Sequence, residues 1–518
     1  MAVEPLDFSG GRITGHRPGV HPIPLVKHTV TAFIGRTERG PVNEPVVVET
    51  FDEFRAVFGG HTNFSFVSHT VQHYFVHGGQ VAVIVRVANR ATRASIEVPA
   101  GEQSLRLQAR HPGAHEFIRV SVDYDRVEND PQRFNLVIQR LRGPGTALIA
   151  DQELFPAVSM RHTDKRFVVD ALRDSRLVRL SGPLPRGRPA PTRALYPGQP
   201  IPYIETTTAG SDGDALTDYD VIGSNTDGTG LFALDRTDGI DLLCVPPAPH
   251  ADLGTTAFVA AERYCERHRA ILIWDPAWSW SSAHAVIMGL RNAGFASANA
   301  LTYFPRIRPR GENGRFPSGL PACGAVAGIL ARHDGAGIWH TATTADSALK
   351  SPLTAVTPLA AKDVAVLRRF GVNAFGPSVG ATVSLEGNST LAGGSGMSKQ
   401  WGSLDRRRLL FFILNSVDRG TRWVVENLDS DDLAETLDRQ VRAFLRSLFE
   451  QGALAGRNPQ QAFFVEAQRP PSRETDLILR LGFALHAPNE LLVYEIGYRA
   501  SGSRLRQIPS LEVAQLLS

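Results

Sequence analysis

TVTAFIG at Thr29–Gly35 and VAVIVRV at Val81–Val87 bracket the stretch from which the fold class is read. The first run is β-branched and aromatic and stops at a glycine, which marks a strand. Arg39-Gly40-Pro41 turns the chain, and Val46–Glu49 reads as a second, short strand. Thr50 stands where a helix over Phe51–Phe58 needs its N-cap, and Gly59-Gly60 closes that helix. Another helix is expected over Phe66–Val76, ending at Gly78-Gly79. Val81–Val87 is apolar almost throughout, as in a strand covered on both faces. Strands and helices alternating with glycine stops form an α/β pattern.

N-terminal to this stretch, residues 1–28 read as an extended arm. Gly10-Gly11, Gly15, Pro18-Gly19, Pro22 and Pro24 disfavour a helix, and Ile13, Val20, Ile23 and Leu25 follow no period. Residues 29–90 are then the first part of an α/β core. From 91 to 205 short alternating runs (Ser104–Ala109, Phe117–Tyr124, Phe134–Gln139) suggest an inserted, mostly β domain, followed by a Pro/Gly/Arg surface linker at Gly182–Pro202. The α/β texture returns over 206–370. Strands are expected at Asp241–Val245, Ala270–Trp274 and Asn299–Tyr303, and helices at Thr255–Arg267, Ser282–Asn292 and Pro321–Ala331.

Residues 371–490 form a C-terminal α/β domain. An apolar helix over Leu404–Val417 leads to a strand at Arg422–Glu426 and a long helix over Asp431–Glu450. Leu433, Leu437, Val441, Phe444 and Leu448 recur on one face of that helix. Arg439, Arg442 and Arg446 lie on the other. Leu491–Tyr498 is a last strand with a possible open edge, and 491–518 ends in a polar, weakly patterned tail. The whole is an α/β (α+β) multidomain chain: mixed sheets with packed helices, an inserted mostly β domain, and extended N- and C-terminal arms.

At 518 residues, with 42% apolar and 21% charged side chains, the composition is that of ordinary globular domains. No apolar run approaches the ~20 residues of a membrane-spanning helix, and MAVEPLDFSGG lacks the apolar core of a secretory signal. Cys244, Cys265 and Cys323 are scattered and fit reduced thiols in a chain made in a cytoplasm. The 55 basic and 52 acidic side chains nearly balance, which disfavours nucleic acid as the main partner. All the basic residues but Lys27, Lys165, Lys350, Lys362 and Lys399 are arginines. That bias is what GC-rich coding would give, and it also suits protein interfaces.

Catalytic signatures are few. There is no P-loop, HExxH, EF-hand loop or Cys/His zinc spacing. Gly376-Pro377-Ser378-Val379-Gly380 matches GxSxG, but a nucleophile elbow needs a helix after the serine, and ATVSL (Ala381–Leu385) reads as a strand. Asp227-Gly228-Thr229-Gly230 is too short of glycines for a phosphate cradle. Asp275 ends a buried strand before Pro276, more in the manner of a turn than of a catalytic group. His69, His73 and His77 share a helix face near His61, a metal-compatible spacing without an evident carboxylate, better read as a half-exposed face. No cofactor, metal or catalytic residue is assigned. An α/β hydrolase built on Ser378, Asp275 or the histidines is the distant alternative.

Taken in order, several segments carry a resemblance. TAFIGRTERGPVNEPVVVETFDEFRAVFGG (Thr31–Gly60) with VQHYFVHGGQVAVIVRV (Val71–Val87) is similar to the N-terminal part of contractile tail sheath proteins. SDGDALTDYDVIG and GLFALDRTDGIDLLCVP within Gly210–Pro246 resemble the central sheath motif. Ile273-Trp274-Asp275-Pro276, ALTYFPR (Ala300–Arg306), PACGAVAGILA (Pro321–Ala331) and Gly337-Ile338-Trp339 continue it. DRRRLLFFILNSVDRGTRWV (Asp405–Val424) and GALAGRNPQQAFFV (Gly452–Val465) are its most specific parts.

The resemblance implies a structural protein rather than an enzyme. Such subunits polymerise as stacked six-fold rings around an inner tube, in phage tails and contractile injection systems, and contract to drive the tube through a target membrane. It implies as partners further copies of the chain, the tube protein, and baseplate and cap or terminator proteins, without nucleic acid or direct membrane insertion. It also implies cytoplasmic assembly into a phage tail or an extracellular or intracellular particle. Another self-assembling phage-like protein is the nearer alternative. In the family, terminal arms add strands to neighbouring subunits, which points to Val20, Ile23, Leu25, Leu492, Tyr494 and Ile496 as inter-subunit contacts. A C-terminal helix touches the tube, which makes Arg439, Arg442 and Arg446 its candidate contacts.

Overall fold

The computed structural model describes residues 23, 29–192, 202–311, 316, 318–340, 346–350, 352–377, 383–394, 401–470 and 476–509. The opening stretch folds as β1 (Val30–Gly35), β2 (Pro45–Val48), α1 (Phe51–Phe58), α2 (Val67–His77) and β3 (Val81–Arg86). Thr50 caps α1, accepting a hydrogen bond from the Glu53 amide. β1 and β3 are parallel neighbours, with Phe33 opposite Ile84.

The chain leaves this sheet after β3 and builds the expected insertion. It contains β4 (Ser95–Ala100), β5 (Gln103–Ala109), β6 (Ile118–Asp123), β7 (Arg133–Leu141), β8 (Ile149–Ser159), α3 (Val168–Arg173), β9 (Val178–Leu180) and β10 (Ile204–Glu205). The strands form two antiparallel sheets, β4-β5-β9 and β10-β6-β7-β8, which enclose a core of their own around Ile96, Leu107, Val120 and Leu136. Its neck is a pair of antiparallel segments bridged at Thr92–Ser211 and Ser95–Thr208. The fully buried Arg86 donates to the carbonyls of Gly40 and Pro112 at 2.7 Å each, so the end of β3 holds the insertion in place.

Gly182–Thr192, read as surface linker, is instead fixed to the insertion. The Arg188 guanidinium lies 3.5 Å from the Tyr124 ring centroid, and the Ala190 amide donates to Pro99 O. The rest of that stretch, 193–201, lies outside the described residues.

α4 (Asp218–Ile222), β11 (Leu242–Cys244), α5 (Thr255–His268), β12 (Ile271–Ile273), α6 (Ala283–Ala293) and β13 (Ala300–Leu301) complete the central sheet. Its order is β13-β12-β11-β1-β3-β2, parallel except for β2. Side-chain alternation sends Phe33, Ile84 and Leu242 to one face and Ala32, Ile34, Val83 and Leu243 to the other. Both faces are covered, which is why these strands are apolar throughout. The strand expected at Asn299–Tyr303 divides: β13 joins the central sheet, and β14 (Tyr303–Phe304) joins a second one.

Beyond it lie β15 (Ile307–Pro309), α7 (Cys323–Asp334), β16 (Leu353–Ala355), α8 (Ala361–Arg369), β17 (Asn373–Pro377) and β18 (Val383–Glu386). Because β14 pairs with β17, the boundary placed at 370 is bridged by a sheet. The C-terminal part comprises α9 (Leu404–Gly420), α10 (Leu433–Glu450), α11 (Pro459–Ala462), β19 (Phe463–Gln468), β20 (Leu477–Ala484), β21 (Leu491–Arg499) and β22 (Gly502–Gln507).

Two expectations change here. Arg422–Asn427 is a 3₁₀ helix, not a strand, because Val424 is buried and Trp423 Nε1 donates to Gln440 of α10. Packing overrides the β propensity of its valines. The weakly patterned tail contains β22, so the sheet crosses the boundary placed at 490.

Candidate assembly surfaces

The C-terminal sheet has the order β19-β20-β21-β22. Leu477, Leu479, Leu481 and Phe483 of β20 stand opposite Tyr498, Ile496, Tyr494 and Leu492 of β21, all buried on the side that packs with α10. Leu492, Tyr494 and Ile496 are therefore intramolecular core. Their strand is not the open edge expected from the sequence, since β22 pairs along it; the edges of the sheet are β19 and β22.

On the opposite face a charge ladder crosses all four strands. Arg480 of β20 lies 3.6 Å from Glu466 of β19 and 2.9 Å from Glu495 of β21, which also binds Arg506 of β22 at 2.8 Å. Burial pushes the Glu495 carboxyl up, but the hydrogen bonds and charges of Arg506 and Arg480 outweigh it and hold the group below its ordinary value.

α10 buries Leu433, Leu437, Val441, Phe444 and Leu448 as its period requires, and exposes Arg439, Arg442 and Arg446. Two of these arginines are paired on their own helix. Arg439 binds Glu435 at 3.0 Å, and Arg442 grips Asp438 with two bonds of 2.9 and 3.0 Å and reaches Val465 O. Arg446 makes no hydrogen bond or ion pair with the described residues. The stripe is thus largely neutralised, with its open cation at the C-terminal end.

The root of the N-terminal arm meets the C-terminal part at a buried polar junction. Ile23 is buried against Gly420 at the end of α9; a Cβ on that glycine would lie 2.8 Å from Ile23 Cγ1. Thr29 Oγ1 donates to Asp334 at the end of α7, and Asp334 also pairs with Arg408 of α9. Asp241 Oδ2 accepts from the Val30 amide at 2.9 Å. Beside these groups opens a cavity of about 530 Å³, walled by Trp339, Phe411 and Phe412. Neither Asp334 nor Arg408 was singled out from the sequence, because residues so far apart in the chain leave no local pattern. Val20 and Leu25 lie outside the described residues.

The residues weighed for catalysis have structural surroundings. Asp275 Oδ1 accepts from the amides of Ala322 and Cys323 at 2.6 and 3.2 Å, so it caps α7 rather than forming a turn of its own; burial pushes its carboxyl up. In the Asp227–Gly230 loop the Gly230 amide donates to Asn43 and the Thr229 amide to Ser224 O, leaving no cradle of free amides. The GxSxG string begins at the end of β17. The next described element is the antiparallel strand β18, and Ser378 itself lies outside the described residues.

The histidine face is not half-exposed: His69, His73 and His77 are all buried. α7 closes over α2 at Gly324 and Gly328, and the His61 ring stacks on His69 at 4.0 Å. Burial, then the neighbouring His77, His69 and His61, push His73 down to about 3. Burial likewise pushes His77 down to about 4, although its Nδ1 donates to His73 O. Among the described residues no three His, Cys, Asp or Glu converge as metal ligands, and no helix is long and apolar enough to cross a membrane.

No protein-family model and no curated protein matches this sequence. Solved structures do match its fold. The sheath tail protein of Listeria innocua is 11% identical, with 90% of this chain and 94% of that one covered at a TM-score of 0.64. The sheath tail protein of Desulfitobacterium hafniense is 12% identical, covering 94% and 97% at 0.56. The sheath of the PVC extracellular contractile injection system, solved in its contracted state, is 13% identical, covering 94% and 96% at 0.51. The chain has the fold of contractile sheath proteins over nearly its whole length.

Proposed function

We propose that this chain is the repeating sheath subunit of a contractile injection machine, a structural protein whose work is done by its interfaces. The observation that carries this reading is the end-to-end likeness in fold to sheath tail proteins at reciprocal coverage of 90% or more. Copies stack as six-fold rings around an inner tube, meet a baseplate at one end and a cap or terminator at the other, and form in the cytoplasm of the producing cell. Contraction repacks rigid subunits, so the stored free energy lies in the difference between two packings and needs no nucleotide. The structural roles of Asp275 and the buried histidines support a non-enzymatic reading.

The arms link neighbours. Residues 1–22 precede Ile23, which is seated at Gly420, and among the described residues the edge strands β19 and β22 of the C-terminal sheet each pair on one side only, where a strand could be added. Strand addition supplies main-chain hydrogen bonds that survive a rigid-body rearrangement.

Negative-stain microscopy of the purified chain, with and without residues 1–28 and with the tube protein added, tests this. Striated hollow tubes from the full chain, lost on truncation, are expected. Discrete monomers from the full chain even with the tube protein present would overturn the sheath reading.

A further inference from the structure

Cys244 ends β11 and Cys323 opens α7, and both side chains belong to the core on one face of the central sheet. Both are free thiols and almost fully buried. Cys244 stands opposite Ile273 of β12. Two residues further on, Asp275 accepts from the amides of Ala322 and Cys323, which pins the first turn of α7 over the ends of β11 and β12. Gly324 and Gly328 seat the same helix on α2. Held in this way, the Cys323 thiol lies within hydrogen-bonding reach of the Cys244 sulfur and of the Asp275 carboxyl. The third cysteine, Cys265 of α5, belongs to the core on the opposite face of the sheet.

The two sulfurs differ in character. Burial, then the hydrogen bond to Cys244 and the nearby Asp275 charge, push the Cys323 thiol up. Cys323 therefore keeps its proton and donates it, which leaves Cys244 as the sulfur that attacks an oxidant. Val245 and Asp275, beside the pair, line a cavity of about 130 Å³ at the carboxyl ends of β11 and β12. That space holds a molecule somewhat larger than water, such as hydrogen peroxide. Two thiols already in contact need little further approach to form a disulfide.

We infer that Cys244 and Cys323 form an oxidation site, at which a peroxide closes a disulfide that ties α7 to the central sheet. Cys244 Sγ attacks one peroxide oxygen and the O–O bond breaks, giving a sulfenic acid and, with the thiol proton, one water. Cys323 Sγ then attacks the sulfenic sulfur; the S–S bond forms, the S–O bond breaks, and the hydroxyl leaves with the second thiol proton as water. The sulfurs are oxidised by two electrons and the peroxide is reduced by two. A reducing cytoplasm keeps the pair as thiols, so the link belongs to chains exposed to oxidant outside it. Since α7 ends at Asp334, the link also fixes the arm root relative to β11.

The test uses the full chain, purified under reduction and then treated with hydrogen peroxide at neutral pH. Thiols are counted by alkylation in denaturant, and links are mapped by peptide mass spectrometry. Two of the three thiols should be lost, with a mass lower by about 2 Da and a peptide pair joined at Cys244 and Cys323. Cys265 should remain open to alkylation. Cys323→Ala should abolish the linked pair, and Cys265→Ala should leave it unchanged. In an unfolded chain Cys265 is the nearer partner of Cys244 along the sequence and closes the smaller loop. Linkage to Cys323 in preference to Cys265 therefore reports the folded contact, and the unsubstituted chain alone decides it.

Survival of all three thiols, a link through Cys265, or oxygen addition at single sulfurs overturns the inference. The urea midpoint of the linked chain should exceed that of the reduced chain and return to it with dithiothreitol. An equal or lower midpoint overturns the tie between α7 and the sheet. Every readout is taken on the single chain, so the result holds whether or not tubes form, and tube formation is scored separately by microscopy.

Discussion

Gly324 of α7 lies directly over the carbonyl oxygen of Thr70 of α2, so close that a methyl group there would overlap the backbone oxygen. One turn on, Gly328 stands in the same relation to the Tyr74 carbonyl. Because the obstacle is main chain, no rotamer change relieves it. Gly324→Ala is therefore expected to destabilise by about 1–3 kcal/mol, although alanine favours a helix by about 1 kcal/mol over glycine. Urea unfolding of the two proteins measures the difference. A gain in stability would mean that the helices separate freely. α7 begins at the Asp275 cap and ends at Asp334, so its seat on α2 also sets the geometry of the arm root.

Packing α7 on α2 has a consequence in acid. His73 and His77 titrate near 3 and 4 when folded, against about 6.5 when unfolded. Between these values the unfolded chain binds more protons, so the stability present above pH 6.5 falls as the pH drops toward 4. At pH 5 the loss is about 2 kcal/mol for each histidine. Urea midpoints measured from pH 7 to pH 5 should fall, and should fall less in the His73→Gln/His77→Gln double variant. Parallel curves for the two proteins would place the acid sensitivity elsewhere.

Glu495 is the central member of the charge ladder and holds β22 through Arg506. Glu495→Gln leaves two arginines without their shared carboxylate, and is expected to cost about 1–3 kcal/mol. Amide hydrogen exchange should show where that loss falls: faster exchange in Gly502–Gln507, with α10 unchanged. The carboxyl is held below its ordinary value, so its contribution is present above about pH 4.5 and is lost as the pH falls through the folded value. Equal exchange in the two proteins would show that β22 is held by its backbone pairing alone.

What could be read in advance follows from where the governing contacts lie. α1, from Phe51 to Phe58, begins and ends as its cap and glycines dictate, because those signals are local. The central strands were legible because burial on both faces leaves no polar alternation to confuse with a surface. β22 was not, since an edge strand with one wet face, GSRLRQ, shows the same polarity as a tail. The α2 histidines looked like a wet face until α7 arrived from a distant part of the sequence to cover them. The Thr29–Asp334–Arg408 junction joins three separate segments, and no window of sequence contains it.

The tube-facing role proposed for α10 now divides unequally among its arginines. Arg439 and Arg442 are engaged by Glu435 and Asp438 four residues before them, pairs that stabilise a helix by about 0.2–0.5 kcal/mol and reduce the charge offered to a partner. Arg446 has no such partner among the described residues, so an acidic tube surface would meet it first. Arg446→Glu is expected to weaken co-sedimentation with the tube protein more than Arg439→Glu, with the gap narrowing as salt is raised. Adding Glu435→Arg to Arg439→Glu restores the local pair in reverse and should recover the weaker of the two defects. If all three proteins co-sediment as the unsubstituted chain does, α10 is a solvated face and the tube is held by another surface.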